Sequence, residues 1–267
     1  MPNAAFDPIA DIYDTTFSNS LVGQEQRMVS REHLFKFLEG KNNLQVLEIN
    51  CGTGEDAVWL ASLGHTVTAT DQSAEMIRVA QQKTNAIKSN AIAFQCCSIE
   101  ELNTLFPGKK FDLIFSNFSG LNCVSPKNMA EVNKQLLSLL NNNGHLAIVI
   151  FGKYTVWEML YYLLKFDFKN AFRRWSNKQV NVHLTSTVTQ PVYYYSPSAL
   201  VRLLSPFKLV SKKPVGIAIP PSYMEQAMQK RKRFFKLMVN WEKRLGHFTA
   251  GSALADHTYL LLKKNPL

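Results

Sequence analysis

Two acidic residues and a glycine turn mark the part of the chain best suited to chemistry. Glu48 lies near the end of a short apolar run, Gly52 and Gly54 follow it, and Asp71 ends the next apolar run, which begins at Thr66. Glycines permit a tight turn and a close approach of the backbone to a ligand. A carboxylate at a strand end can accept hydrogen bonds from both hydroxyls of a ribose. The spacing predicts a nucleotide-binding corner of strand, glycine loop and helix.

The charges at this corner bear on which nucleotide binds. Gly52, Gly54 and Ala57 satisfy the dinucleotide spacing. A pyrophosphate would lie at the helix N-terminus, but Glu55 and Asp56 are placed there, and they suit the helix dipole while repelling phosphate. We therefore expect a ligand without phosphates, such as S-adenosylmethionine, and treat a nicotinamide-dependent dehydrogenase as the alternative that explains only the glycines.

Further motifs follow in order: an apolar strand that ends in Phe111–Asn117, and another at 144–150. Together with the glycine corner they resemble the class I, Rossmann-like S-adenosylmethionine-dependent methyltransferases of the small-molecule type, over residues 40–151. The resemblance implies an α/β fold with a doubly wound, seven-stranded, mostly parallel sheet and an antiparallel C-terminal strand. It also implies S-adenosyl-L-methionine as cofactor and S-adenosyl-L-homocysteine as product.

The resemblance assigns roles around the cofactor. Glu48 would hold the ammonium of the amino-acid moiety, Asp71 the ribose, and Met76 and Ile99 the two faces of adenine, while Tyr13 would fold over the methionine moiety. The complete set of expected cofactor-binding residues is Tyr13, Glu48, Asn50, Cys51, Gly52, Gly54, Asp71, Gln72, Met76, Ser98, Ile99 and Asn117.

Two positions depart from the family pattern. Asn50 stands where the family usually has glycine, and Asn tolerates the left-handed backbone better than other non-glycine residues. Ser98 stands near the position of an acid that binds the adenine amino group in many members, so Glu100 or a backbone amide is the alternative contact.

The composition suggests four parts. Residues 1–40 read as a helical lid, 41–151 as the cofactor-binding core, and 197–267 as the completion of the core, with strands 6 and 7 and a long basic helix. Residues 152–196 are rich in aromatic residues and too long for an ordinary loop, which predicts an inserted α+β cap over the acceptor. The alternative is that these aromatics form only the cap's own core.

We expect methyl transfer to a small, aromatic or lipophilic acceptor, with O-methylation ahead of N-methylation. A hydroxyl acceptor benefits from a base, and His183 within the cap is the candidate, with a core or solvent-exposed histidine as the alternative reading. An RNA methyltransferase and a non-catalytic scaffold with the cofactor fold stay open as alternatives.

The net charge of +10 raises nucleic acid, a membrane surface or an anionic substrate as partners. The basic cluster at 230–236 lies on a helix that could contact a membrane peripherally or pack in a homodimer. No apolar run of about 18 residues and no secretory leader is evident, so we expect a cytoplasmic protein. The four cysteines show no metal-ligand spacing, so no metal site is expected.

Overall fold

A computed structural model describes residues 4–87, 90–184 and 188–265 of the chain. The strands are β1 (Gln45–Ile49), β2 (Thr66–Asp71), β3 (Ile92–Cys96), β4 (Phe111–Ser116), β5 (Leu140–Phe151), β6 (Val180–His183), β7 (Thr189–Val192), β8 (Lys208–Val215) and β9 (His257–Lys263).

The α-helices are α1 (Ala10–Tyr13), α2 (Leu21–Leu38), α3 (Glu55–Ser62), α4 (Ala74–Ile87), α5 (Leu102–Leu105), α6 (Met129–Leu139), α7 (Val156–Leu163), α8 (Phe168–Ala171), α9 (Pro197–Leu203), α10 (Glu225–Lys230) and α11 (Lys232–Leu245). Single turns of 3₁₀ or π helix occur at Asp7–Ile9, Asp14–Ser18, Ile99–Glu101, Gly120–Cys123, Arg173–Trp175, Ser222–Met224 and Thr249–Ala253.

Seven strands form one sheet in the order β3-β2-β1-β4-β5-β9-β8. β1 pairs in parallel with β2 and β4, and β9 runs antiparallel to both β5 and β8. The predicted mostly parallel sheet with an antiparallel C-terminal strand is therefore confirmed. The order reverses beside β1, and in such sheets ligands bind outside the carboxyl ends of the strands at that switch point.

The sheet is buried on both faces, which is why its central strands are largely apolar. Val46 and Phe115 contribute to one core with Leu34 of α2 and Leu60 of α3. Leu47 and Ile114 point to the other face, where they join a second core with residues of α6 and α9. The helices on the two faces hold the carboxyl ends of β1, β2 and β4 at one edge.

Two boundaries differ from those that the sequence pattern predicts. The Asn-rich stretch 141–144 is expected to turn, yet it lies within β5, because Leu140 already pairs with Phe111 and Asn141 Nδ2 donates a 2.7 Å hydrogen bond to Asp112 Oδ1. The single helix expected from Tyr223 to Leu245 breaks at Arg231. The break lets both α10 and α11 turn a buried face, at Met228 and Phe235, toward the core.

Between β5 and α9 the chain forms α7, α8 and a separate hairpin of β6 and β7. These elements are helical and extended, as the sequence predicts for this segment. Their role as a cap over an acceptor stays a prediction, as do the four domain boundaries. Among the described residues, no helix combines the length and the apolar character needed to cross a membrane.

Candidate cofactor and acceptor site

A small crevice of about 50 Å³ lies at the carboxyl ends of β1 and β4. Half of the expected cofactor-binding residues line it, namely Tyr13, Glu48, Asn50, Cys51, Gly52 and Asn117. Arg27 of α2 and Phe118 line it too. Phe118 belongs to the end of the β4 segment, which the sequence predicts to face the methyl group, whereas nothing in the sequence pointed to Arg27. The topology thus brings together side chains that are far apart in the chain.

The glycine loop has the backbone that its residue types predict. Asn50, Gly52 and Gly54 have φ angles of 58°, 53° and 76°, all in the left-handed region. Asn50 therefore does keep the turn that the family builds with glycine. A side chain at Gly54 would also collide, because its Cβ would lie 2.9 Å from the ring of Phe94. This glycine allows α3 to pack close to the sheet.

Asp71 fixes this loop from the end of β2. Its Oδ2 accepts a 2.9 Å hydrogen bond from the Gly52 amide, and its Oδ1 accepts one of 2.9 Å from the Ser73 amide. Burial raises the pKa of the Asp71 carboxyl, while the amides of Ser73 and Gly52 oppose the rise. Each oxygen keeps a second lone pair, so the carboxylate can hold the loop and accept from a ribose at once.

Glu48 lies deeper in the same crevice and is 2% exposed. Its Oε2 has no hydrogen-bond partner among the residues that the structure describes. Burial raises the pKa of its carboxyl well above the ordinary value, and the charge of Asp56 adds to the rise. A buried carboxylate without a partner is costly, so the site fits a ligand that brings an ammonium to this oxygen.

Asp56 is neutralised, contrary to the electrostatic argument from the sequence. Arg27 pairs with its Oδ2, and Arg31 Nε lies 2.7 Å from its Oδ1. Burial raises the pKa of Asp56, but the two guanidinium groups outweigh it and lower the pKa below the ordinary value. Glu55 is likewise paired with Lys83. Repulsion of phosphate by these two acids is therefore wrong as a reason, and Glu48, whose Oε2 has no hydrogen-bond partner among the described residues, is the acid that fits a cationic ligand.

The N-terminal segment, residues 4–20, lies over the crevice. Asp14 Oδ2 is 2.7 Å from Lys83 Nζ, and Asp14 Oδ1 accepts a 2.5 Å hydrogen bond from Thr53 Oγ1. Asp7 Oδ1 accepts a 2.5 Å bond from Ser73 Oγ. With Tyr13 in place the crevice, at about 50 Å³, is well below the roughly 300 to 1,000 Å³ of most ligand pockets. This arrangement is a closed one, and we expect the segment to move when a ligand enters.

The remaining expected residues lie around the crevice rather than in its lining. Met76 is buried against Ile9 and Ala10 of the N-terminal segment. Gln72 is exposed, and Ile99 is half-buried beside the second core.

Ser98 and Glu100, the two residues considered for the adenine contact, both form hydrogen bonds with nearby residues of the chain. The Ser98 amide donates a 3.2 Å bond to Glu101 Oε2, and the Ser98 hydroxyl donates one of 2.8 Å to the same oxygen. Glu100 is exposed, and its carbonyl accepts from Gln135 Nε2 at 2.6 Å. In this conformation the Ser98 amide therefore already has a hydrogen-bond acceptor, the Glu101 carboxylate of the same turn.

An aromatic wall continues from the crevice toward residues 152–196. Phe118 has a φ of 44°, a strained value for a bulky residue, of the kind that clusters at functional sites. Its ring centroid lies 4.9 Å from Arg27 Cζ and 5.5 Å from the ring of buried His257. His257 in turn stacks on Phe151 at 4.9 Å. The wall combines flat apolar surface with one imidazole.

A buried ion network lies behind this wall. Arg174 Nη2 is 2.7 Å from Glu158 Oε2 and 3.1 Å from Asp256 Oδ1. Asp256 Oδ2 is 3.3 Å from His257 Nδ1, which is ion-pair distance without hydrogen-bond geometry. The network ties α7 and the turn after α8 to the start of β9. Sequence reasoning missed it, because only the density of aromatic and basic residues near Trp175 pointed there.

His183, the base expected from the sequence, lies on the exposed side of β6. It is absent from the crevice lining. The next residue, Leu184, packs against Ile9 and Met76. The catalytic role of His183 stays a prediction.

Comparison with known proteins agrees with this geometry. Residues 46–144, which run from β1 into β5, match the family model described as a methyltransferase domain. This stretch of the chain is a methyltransferase domain. Such domains use S-adenosylmethionine, so the crevice at β1, β2 and β4 is the candidate place for it.

The chain has curated relatives over about half of its length. It is 29% identical over 155 residues to YqeM of Bacillus subtilis (strain 168), whose name proposes a methyltransferase. It is 33% identical over 141 residues to the malonyl-[acyl-carrier protein] O-methyltransferase of Acetivibrio thermocellus. These alignments cover 58% and 51% of this chain, but only 58% and 44% of the two relatives.

A solved structure extends the likeness to nearly the whole chain. An S-adenosylmethionine-dependent methyltransferase from Clostridium acetobutylicum ATCC 824 superposes with a TM-score of 0.60, covering 98% of this chain and all of its own. The sequence identity is 15%, so this match establishes the fold alone.

Proposed function

We propose that the chain transfers a methyl group from S-adenosylmethionine to a small organic acceptor. The observation that carries this proposal is the unpartnered Oε2 of Glu48, buried in the crevice beside the loop that Asp71 fixes. A ligand with an ammonium at one end and a ribose at the other satisfies both carboxylates. A nicotinamide dinucleotide would leave Glu48 without a cation.

The cofactor, when bound, supplies an electrophilic methyl group on a sulfonium and leaves as S-adenosylhomocysteine. The residues of this chain bind and orient it: Glu48 accepts from the ammonium, Asp71 from the ribose hydroxyls, and Met76 and Ile99 contact adenine. Tyr13 closes over the crevice and excludes water. In a transfer that neutralises a sulfonium, alignment and a dry site matter most.

The acceptor we propose is aromatic or lipophilic and is methylated on oxygen in preference to nitrogen. Phe118, Phe151 and Tyr194 offer flat apolar surface, and Arg174 lies 5.3 Å from the Tyr194 ring and 5.2 Å from that of Phe151. The relative from A. thermocellus is named for O-methylation of a malonyl group, which supports an oxygen acceptor. Residues 152–196 would act as the cap over it.

Two histidines are candidates for a base. His183 is the choice from sequence, and it would need the hairpin to bend toward the crevice. His257 is buried and its ring already contacts Phe118, which lines the crevice. We propose His257 as the stronger candidate and keep His183 as the alternative.

The test is calorimetric titration of the full chain with S-adenosylmethionine and S-adenosylhomocysteine, followed by transfer of a labelled methyl group to phenols, carboxylic acids, amines and RNA. Binding of both ligands and labelling of a phenol or carboxylic acid is the expected result. Labelling of RNA alone favours the RNA methyltransferase. Binding without any transfer favours a scaffold, and no binding of either ligand ends the proposal.

A further inference from the structure

The turn between α7 and α8 exposes large apolar side chains. Leu164 is 81% exposed, Phe166 82% and Phe168 61%, and Leu160, one helical turn before Leu164, is 51% exposed. We call these four residues the apolar tip. Exposed large apolar side chains that are grouped together, rather than scattered singly, mark an interaction site.

The backbone holds the tip outward. Phe166 has a φ of 57°, and it follows the last turn of α7, where its amide donates to the Leu163 carbonyl at 3.0 Å. Asp167 then begins α8, and its Oδ1 accepts from the Asn170 amide at 3.1 Å. Behind the turn, Tyr161 packs on Tyr223 with ring centroids 5.1 Å apart. The tip is therefore a built projection on a packed base.

The charges around the tip are net positive. Lys165 and Lys169 are exposed beside it, and Lys165 Nζ also donates a 2.5 Å hydrogen bond to the Tyr161 hydroxyl. Both oxygens of Asp167 accept from Asn170, and buried Glu158 is paired with Arg173 and Arg174. The surface thus presents apolar side chains interleaved with two ammonium groups, against the one carboxylate of Asp167, in a chain of net charge +10.

We propose that the apolar tip inserts into the surface of an anionic lipid membrane. Leu164, Phe166 and Phe168 would enter the boundary between headgroups and acyl chains, while Lys165 and Lys169 remain at the anionic phosphates. Trp175 and Tyr154, 46% and 37% exposed, are of the type enriched at that boundary. A second copy of the chain fits less well, because a two-fold contact would bring the same lysines together.

A second basic surface competes with the tip as the membrane contact. α11 exposes Phe234, Leu237 and Trp241, which are 47%, 53% and 49% exposed, beside several lysines and arginines. The side chains of the tip are more exposed and stand on a turn, so we assign the insertion to the tip. The experiment separates the two surfaces.

The test is cosedimentation of the full chain with vesicles, one set of phosphatidylglycerol mixed with phosphatidylcholine and one of phosphatidylcholine alone. We expect binding to the anionic vesicles that weakens as salt is added. Phe166→Ser and Lys165→Glu should each lower the partition coefficient by about tenfold. Phe35→Ser, which removes a 46% exposed phenylalanine from α2, is the matched control and should bind like the unaltered chain.

Three outcomes overturn the proposal. No binding to anionic vesicles leaves an acidic protein as the class of partner. Binding that Lys232→Glu abolishes and Phe166→Ser leaves intact assigns the contact to α11. A dimer in sedimentation velocity that Phe166→Ser dissociates assigns the tip to a second copy. All variants are compared at equal folded fraction by circular dichroism, and the result is independent of methyl transfer.

Discussion

The side-chain amide of Asn117 donates a 2.9 Å hydrogen bond to the buried carboxylate of Asp56, and it joins the end of β4 to the helix after the glycine loop. The Oδ1 of Asn117 accepts at the same time from Ser30 Oγ at 3.1 Å and from the Phe118 amide at 2.9 Å. Asn117 thus shapes the crevice, and Asp56 is already satisfied. Glu48 is left as the acid with an oxygen for a ligand.

Replacement of Glu48 by Gln should separate ligand affinity from stability. Affinity for S-adenosylmethionine should fall roughly 10- to 100-fold, the value of a hydrogen bond to a charged group. The ligand-free stability should not fall, because a neutral amide is cheaper to bury than a carboxylate. Titration calorimetry and urea unfolding measure the two quantities. Asp71→Asn is the contrasting variant, since it also weakens the Gly52 and Ser73 contacts and should lose stability.

Ligand binding should also release a proton from Glu48. Burial raises the pKa of this carboxyl well above its ordinary value, and an ammonium beside it would lower the pKa again. Between those two pKa values the free protein holds a proton that the complex does not. Calorimetry in buffers of different ionisation enthalpy should detect the release for the natural chain and none for Glu48→Gln. Equal proton counts for the two would show that Glu48 is not the ammonium site.

Asp14→Asn should loosen the N-terminal segment over the crevice. It removes the charge that pairs with Lys83 and weakens the bond from Thr53. Because the closed segment leaves too little room for the ligand, we expect both association and dissociation of S-adenosylmethionine to quicken, which stopped-flow fluorescence measures. Asp11→Asn is the control, since Asp11 is 78% exposed in its pair with Arg78. Unchanged rates in Asp14→Asn would show that the segment is not a gate.

Arg174→Met should destabilise the fold by about 3 to 5 kcal/mol, because it removes the arginine from buried Asp256 and leaves buried Glu158 with Arg173 alone. The side chains of Glu158 and Asp256 are 2% and 3% exposed. Urea unfolding followed by tryptophan fluorescence would report the loss. Arg173→Met provides the comparison: its side chain is 27% exposed, so its loss should cost clearly less. A cost for Arg174→Met no larger than that for Arg173→Met would contradict the proposed anchoring role.

The sequence predicts the sheet and the glycine loop because their signals are local. Ile92–Cys96 and Phe111–Ser116 are found at the predicted bounds, and Asn50 adopts the left-handed backbone. The pairing of Arg27 and Arg31 with Asp56 has no local signal, since these residues lie 29 and 25 positions apart. Because Asp56 is paired with these arginines, its charge cannot be the reason why the site would reject a phosphate.

Long-range contacts also explain the other misreadings. Residues 141–144 have a turn composition, and they form an irregular stretch within β5 because the residues on either side of them, Leu140 and His145, both pair with β4. Arg174 reaches the Asp256 carbonyl across 82 positions. His183 stays a prediction for the base, and period-two alternation along β6 places it on the exposed side of the strand.

A comparison of His257→Asn with His183→Asn should identify the base. If the acceptor is a hydroxyl, loss of the base should lower kcat by roughly 10²- to 10⁴-fold with little change in the affinity for S-adenosylmethionine. We expect this result for His257→Asn and near-normal turnover for His183→Asn. Since His257 lies near Asp256, thermal unfolding should accompany the assay. The pH dependence of the remaining activity should also change if a base is lost, whereas a purely structural loss would leave that pH dependence unchanged.

Acid should destabilise the fold through His33, which is 7% exposed and has no hydrogen-bond partner for Nδ1 within the described residues. Burial lowers the pKa of His33 to about 4, and the positive charges of Lys36, Lys213 and His247 add to the decrease. The Pro214 carbonyl, 3.0 Å from Nε2, opposes it. The unfolded chain, with a pKa of about 6.5, then binds a proton that the folded chain does not. Stability is complete above pH 6.5 and is lost as pH falls toward 4.

The expected loss between pH 8 and pH 5 is about 2 kcal/mol from this one residue. His33→Gln keeps a donor for the Pro214 carbonyl and removes the titration. The free energy of unfolding, measured in urea at pH 8 and pH 5, should therefore fall by about 2 kcal/mol less in the variant than in the natural chain. Other titrating groups contribute equally to both proteins and cancel in this comparison. An equal pH dependence in both proteins would mean that His33 is protonated without cost, contrary to its burial against β8 and Tyr259, whose ring lies 5.6 Å away.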